Sequence, residues 1–453
     1  MTADQTLRRR LAAHAGQGNW GLFLGLGSAL ALAGAALFAL ALTGGHAARA
    51  WHLFHVNWIY FTSLAGGSVA LVAVYKVANA KWSGVLVRFA STAIAFMPLA
   101  LLGFVLVFTV GYEHIYGPMQ EELPGLASGK AAWLSRPWMA ARLGLGLLAL
   151  TWVGWAMIRR DLAPDAWEAA QSADGRRGAF ERLARGFDGS PAALAATNAA
   201  VARLAAIFVP LYAMVLTLIA FDGIMALQPH WFSNLLGGWV FMGAFLGANA
   251  LLAVLHLHGG RETGVGHLIS PKQRHDLGKM IFGFSVFWTY LMWSQFLVIW
   301  YGNLPEETGF VFARLWGPWR PVAVAVLAGM FIVPFVGLLG VLPKKWPPTL
   351  GLFSGVLLVA LWLERYLMVM PSVTVEAGPV FGLPELGPTL LFLGLFLLSY
   401  GLAARRWPMV SARLGEITLE RESHHVEEPS EFLHEEADAD FVSEAAIEEE
   451  KRH

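Results

Sequence analysis

The sequence predicts an all-α integral membrane protein with ten transmembrane helices. Three observations carry that expectation. The 453-residue chain is 56% hydrophobic and only 14% charged, with 29 Phe and 19 Trp, too few charges to cover a soluble protein of this length. Its apolar residues gather in ten stretches of about 20 residues, the length a helix needs to cross a hydrocarbon core of about 30 Å. Its lysines and arginines gather in alternate connections between those stretches, the bias that orients membrane helices.

The first span, 20–43, follows Arg8, Arg9 and Arg10. Its apolar run from Gly21 to Thr43 is longer than a signal-peptide core, so an uncleaved helix is expected although Ala48-Arg49-Ala50 resembles a cleavage site. The remaining spans fall at 54–76, 84–112, 138–158, 197–221, 232–256, 278–301, 319–341, 348–370 and 385–404. Arg8–Arg10, the Lys76/Lys81/Arg88 group, the Arg159–Arg185 loop, Arg261/Lys272/Arg274/Lys279, Lys344/Lys345 and Arg405/Arg406 fall on one side. The other connections hold only Arg49, Lys130, Arg136, Arg142, Arg314 and Arg320. The bias predicts an inner-membrane protein with both termini in the cytoplasm, and an even number of spans agrees with it.

The chain thus divides into a cytoplasmic N-terminus (1–19), a membrane core (20–405) and an acidic tail (406–453). From Glu416 onward the tail is rich in Glu and Asp and poor in large apolar residues, a composition of disorder or of a docking strip. In the loop after the fourth span, Phe180, Leu183 and Phe187 share a helical face among Arg176, Arg177, Arg182 and Arg185. That pattern fits an interfacial amphipathic helix or a plain linker. A faint internal echo runs through the core. His55 precedes a span carrying Gly66 and Gly67 and ending near Tyr75; His230 precedes one carrying Gly243 and Gly247 and ending near His256. Helices two to five (54–221) and six to nine (230–370) are therefore expected to form two parallel four-helix bundles, with helices one and ten flanking them.

Cysteine is absent, which removes disulfides, thiolate metal sites and cysteine-ligated iron–sulfur clusters from this chain. No P-loop, zinc motif or nucleophile triad occurs, and no nucleic-acid partner is expected. Glycine-rich patches such as Gly243-x-x-x-Gly247 are close-packing signals between helices. The informative positions are the ionisable residues inside the bilayer, which are costly there and face a bundle interior, a partner or water.

They form three groups. Asp222, His230, Ser294, Gln295, Glu364 and Arg365 lie toward the outer face of the second bundle. Adjacent helical residues diverge by about 100°, so Glu364 and Arg365 are each expected to find a partner on another helix. The set suits a proton-transfer chain or a quinol-headgroup pocket, and equally a structural polar clamp. His55, Asn57, Tyr60, Glu113, His114 and Arg142 lie at similar outer depth in the first bundle. Histidine and carboxylate near a membrane face suit quinol oxidation, which releases protons; interfacial anchoring explains them as well. Arg203, His256, His258, His275, Asp276 and Lys279 face the cytoplasm, as a proton entry or as ordinary loop-end charge. The histidines cluster at helix ends, a poor arrangement for bis-histidine haem.

Several of these residues stand in longer motifs. Asp222 is followed by Gln228-Pro229-His230-Trp231-Phe232-Ser233. Asp276-Leu277-Gly278-Lys279 leads through Phe287-Trp288-x-Tyr290 and Ser294-Gln295 to Ile299-Trp300-Tyr301-x-Asn303-x-Pro305-Glu306-Glu307-Thr308, and Glu364-Arg365-Tyr366 follows. Over residues 20–405 this closely resembles the second large membrane subunit of bacterial alternative complex III, in the NrfD-like, polysulfide-reductase-type superfamily. The resemblance implies two four-helix bundles with two flanking helices. It implies a quinol:cytochrome c or quinol:oxidase oxidoreductase, using menaquinol as a rule. Haem and iron–sulfur clusters would lie on partner subunits: an iron–sulfur protein, multihaem and monohaem cytochromes c, a sister ten-helix subunit that carries the better-supported quinol site, and in some cases a terminal oxidase. For this chain it implies proton conduction and assembly, with Asp222, His230, Ser294, Gln295, Glu364 and Arg365 as the signature positions. Quinol binding beside His55, Tyr60 and Arg142, a non-catalytic scaffold and a secondary transporter are the competing functions.

Overall fold

The structure is a computed structural model that describes residues 18–172, 177–264, 266, 269–374 and 378–411. The first 17 residues, Arg176 and the acidic stretch from Glu416 lie outside the described residues. Among the described residues, ten helices are long and apolar enough to cross a bilayer: α1 (Gly21–Thr43), α2 (Ala47–Val77), α3 (Leu86–Thr109), α4 (Arg136–Gln171), α5 (Pro191–Leu227), α6 (Leu235–Glu262), α7 (Pro271–Gly302), α8 (Gly317–Gly337), α9 (Pro347–Val373) and α10 (Leu383–Ala404). The chain is a multi-pass α-helical membrane protein. The end at which α1 begins and α10 finishes is called here the terminal end, and the opposite one the far end.

Helices α2 to α5 pack in a ring, each on the next and α5 back on α2; α6 to α9 repeat that ring in the same order. The two rings meet where α2 and α5 lie on α6 and where α2 lies on α9. Helix α2 is buried along almost its whole length and α6 along most of it, because each is the inner helix of its bundle and leans on the other. Glycine permits that contact: a Cβ on Gly67 would stand 2.5 Å from the Ala244 carbonyl oxygen.

Helices α1 and α10 stand outside the rings and bind each other. On α1 the buried stripe is Gly27, Gly34 and Ala41, spaced by seven. Gly387 and Gly394 of α10 repeat that spacing, and each pair brings backbone onto backbone. A Cβ at Gly34 would lie 2.2 Å from the Leu391 nitrogen, and one at Gly394 2.3 Å from the Ala31 nitrogen. Association in a bilayer rests on such close van der Waals approach, since lipid offers no hydrophobic drive between helices.

Several boundaries differ from expectation. α2 begins at Ala47 rather than 54, since His52 and His55 are buried and hydrogen-bonded within the helix bundle instead of marking its exit. α4 runs to Gln171 rather than 158, because Asp161 and Asp165 find buried cations beyond the apolar stretch. The loop helix Arg177–Leu183 does not lie on lipid with its apolar face: Phe180 is buried, the helix packs on α4, and Phe187 meets the Trp167 ring edge-on at 6.0 Å. Residues 406–411, expected in the tail, fold back on the bundle. Trp407 meets Trp155 edge-on, Thr92 donates to the Met409 sulfur at 3.4 Å, and Ser411 donates to Asp165 at 2.8 Å.

Candidate functional site

A charged side chain inside a bilayer must be paired, hydrogen-bonded or hydrated, so the partners of each buried ion define what it can do. At the far end of the first bundle, the last turn of α5 supplies Asp222. Its carboxylate, fully buried, accepts two bonds from Arg142 of α4, at 2.9 Å from Nε and 2.5 Å from Nη2. The rest of the guanidinium is spoken for: Nη1 donates to the Trp133 carbonyl at 2.6 Å, and the carbon lies 3.9 Å over the Trp133 ring. Tyr116 of the short helix Tyr112–Glu122 donates to the Asp222 carbonyl at 3.0 Å. Burial, reinforced by the Asp222 charge, holds that phenol well above its ordinary pKa, so it remains a donor. His55 of α2 donates from Nε2 to the Gly223 carbonyl at 2.7 Å, which fixes its tautomer. The rings of Trp58, Phe108, Tyr112 and Tyr116 surround this point within 5–6 Å of one another or of His55.

This regroups the expected residues. Asp222 belongs with Arg142 and His55, not with Glu364. Glu113 and His114 are exposed, Glu113 facing Arg136 at 3.5 Å. Tyr60 lies between the bundles, donating to the Leu358 carbonyl of α9 at 3.0 Å, and Asn57 bonds Thr389 of α10 and Trp362 of α9. His230 is 65% exposed and 3.5 Å from Glu122. Its position before α6 does not reproduce that of buried His55, so the echo between the bundles holds for the helices and not for these histidines.

At the far end of the second bundle, Glu364 and Arg365 are both buried, and they pair with each other through Glu364 Oε2 and Arg365 Nη1. Each also finds the expected partner on another helix; the contact between the two was not expected, and it forms because the long arginine side chain curls back over its neighbour although successive Cβ directions diverge. Other helices complete the pair. Trp288 of α7 donates to Glu364 Oε1 at 3.4 Å, and Arg365 Nη2 donates to the Val240 carbonyl of α6 at 3.0 Å. Gly243 makes room for it, a Cβ there standing 3.3 Å from Arg365 Nη2.

Glu364 also lines a cavity of about 350 Å³ enclosed by α6, α7, α8, α9 and the short helix Pro305–Leu315. Its walls are Trp239, Trp288, Met292, Phe296, Leu327 and their neighbours, with Gln295, Arg314 and Arg320 as the other polar lining. Gln295 accepts from the Ser233 hydroxyl, while Ser294 is half-buried outside the lining. The helical ladder of α8 is interrupted at the edge of this space by a π turn, Ala328–Ile332, whose Met330 carbonyl accepts from Ser285 of α7. Such turns free backbone acceptors and bend the helix.

The terminal-end group does not assemble. Arg203 is exposed, Asp276 pairs with Lys279 at 2.7 Å, His275 is half-buried, and His258 stacks on Phe23 at 4.8 Å. His256 is buried, and neither ring nitrogen has a hydrogen-bond partner among the described residues. A network absent from the sequence reading lies there instead. Arg88 of α3 donates to Asp161 at 2.7 Å and to Asp165, Lys76 of α2 reaches Asp161 at 2.5 Å, and all but Lys76 are nearly fully buried. Two acids one helical turn apart on α4 were the available signal.

No protein-family model and no curated protein matches the chain.

Proposed function

We propose that this chain is a membrane subunit of a respiratory quinol:cytochrome c or quinol:oxidase oxidoreductase of the alternative complex III type, and that it supports proton translocation and assembly. On this reading it lies in the bacterial inner membrane with both termini in the cytoplasm, so the far end is periplasmic. Menaquinol is oxidised by the complex. The iron–sulfur clusters and c-type haems are carried by partner chains.

One observation carries the proton role: Glu364 and Arg365 head a run of buried polar atoms without partners along α6 and α9. Beyond the pair come Asn249 Oδ1 and Ser354 Oγ, then both nitrogens of His256. The helices run antiparallel, with a Cβ on Gly247 2.5 Å from Leu361 and one on Gly351 2.4 Å from Leu257. Ser354 therefore lies level with the turn between Asn249 and His256. Buried polar groups are almost always satisfied, by ordered water where no protein group serves. A file of water joining these atoms would let Glu364 exchange protons with the terminal end. Carrying one charge against 100 mV costs about 2.3 kcal/mol, which is why a buried carboxylate held by an arginine, rather than an open channel, suits the task.

The test is proton release per electron from the reconstituted complex. Glu364→Gln and Asn249→Leu are expected to lower it while the complex still assembles and oxidises quinol. An unchanged stoichiometry in both variants would refute the role.

A further inference from the structure

The cavity of the second bundle holds an imbalance of charge that its own residues leave open. Glu364 is its one acid among the described lining residues, and Arg365 neutralises it. Two further arginines line the same space. Arg314 is 4% exposed; it donates to the Phe310 carbonyl at 3.0 Å, to the Met368 carbonyl at 2.6 Å and to the Ser372 hydroxyl at 2.6 Å. Every one of these acceptors is neutral, and its Nε has no partner among the described residues. Burial pulls the Arg314 pKa well below the ordinary arginine value, and no acid among the described residues pairs with it. Arg320 is exposed at the start of the helical part of α8 and makes no ion pair among the described residues. An unpaired buried cation costs several kcal/mol, so a counter-ion completes such a site.

The counter-ion must reach a space whose walls are tryptophan, methionine, phenylalanine and aliphatic side chains, on helices whose outer faces are apolar. Trp293 and Val324 both line the cavity and are more than half exposed on the surface. An inorganic anion satisfies the arginines and leaves the apolar walls empty. A neutral headgroup fills the walls and leaves two cations uncompensated. A phosphate diester with acyl chains and no cation of its own fills the walls and offers the arginines one anion to share, since guanidinium groups bind phosphate oxygens with charge-assisted bonds.

We propose that this cavity is an anionic-phospholipid site, in which Arg314 and Arg320 hold the lipid phosphate and the apolar space between α7 and α8 takes an acyl chain. The chain then covers the flank of Glu364 that faces the cavity and keeps water from it on that side. The inference rests on charge and shape and not on the respiratory reading.

The test uses the full chain purified in detergent and stripped of lipid, with thermal unfolding followed as phosphatidylglycerol, phosphatidylcholine or a short-chain menaquinone analogue is added. Phosphatidylglycerol is expected to raise the melting temperature and phosphatidylcholine to leave it nearly unchanged. Arg320→Gln, at an exposed position that folding tolerates, should weaken the phosphatidylglycerol response by about tenfold in concentration, the loss of one charge-assisted contact. Arg314→Lys should keep part of that response and Arg314→Gln should lose most of it. Equal responses to the two phospholipids would overturn the proposal. So would displacement of phosphatidylglycerol by the menaquinone analogue, which would make the cavity a quinone site. A third refuting result is that Glu376→Gln, outside the described residues, destabilises the chain as much as Arg314→Gln while neither changes the lipid response. The acid would then be the counter-ion.

Discussion

The two bundles repeat one ring of helices and finish it differently. In the first, the far end is closed: Arg142 and Asp222 meet from α4 and α5, Tyr116 and His55 cap the last carbonyls of α5, and stacked aromatic rings fill the remaining volume. In the second, the acid and the base are neighbours on α9, and a cavity of about 350 Å³ stands beside them. The short helix between the second and third members of the ring takes part in both. In one copy it contributes Tyr116 to the packing, and in the other it contributes Arg314 to the cavity wall. An ion pair between helices holds a bundle together; one within a helix leaves the bundle free to open around it. The first bundle is built for rigidity, the second for access.

That contrast can be broken by substitution. The largest effect is expected for Arg142→Gln, which leaves Asp222 buried and alone and should lower unfolding stability by about 3–5 kcal/mol. Replacing both residues by leucine should restore most of it. A loss under about 1 kcal/mol for Arg142→Gln would mean that water reaches this pair. Glu364→Gln should cost less, about 1.5–3 kcal/mol, because the amide oxygen still accepts from Arg365, which also keeps the Val240 carbonyl, and only the long Trp288 contact is lost. Denaturant titration of the purified chain ranks the two.

Overpacking sharpens the comparison further. Ala220 of α5 is fully buried in the first bundle, and Ala220→Phe should cost about 1–3 kcal/mol. Ala323 faces the cavity, and Ala323→Phe should stay within about 0.5 kcal/mol. Comparable losses at both positions would show the cavity to be closed in solution. The smallest effect belongs to His230→Gln: its contact with Glu122 is long and exposed, and the change in stability should fall below about 0.5 kcal/mol.

The ten helices were legible because a bilayer imposes both a length and an apolar content on each of them. Their ends were less so. A charge was taken as the exit from the membrane, and α4 continues past Arg159 and Arg160 because Asp161 and Asp165 are matched by Arg88 and Lys76 from helices earlier in the chain. Pairing across the ring, as between Arg142 and Asp222, leaves no local trace, so depth alone sorted Asp222 into the wrong cluster. Arg314 looked like one of the few basic residues of an outer connection. Its signal was the helix start Pro305-Glu306-Glu307, proline and two acids in the first turn, which puts Phe310 and Arg314 one turn apart on the same side. Gly243 and Gly247 were correctly marked as packing positions; what they admit is the side chains of Arg365 and Leu361.

The glycine seam between α1 and α10 has a consequence in time. About 350 residues separate Gly34 from Gly387, and at ribosomal speeds of about 5–20 residues per second the second glycine is made roughly 20–70 s after the first. Most of α1 outside its glycine stripe is uncovered, and its contacts with α2 are few beside those with α10. Helix α1 therefore waits in the bilayer as a nearly solitary helix while the two rings are built. Its docking on α10 must come late in synthesis, so a ribosome stalled before Gly387 would leave a nascent chain whose first helix is still open to capture.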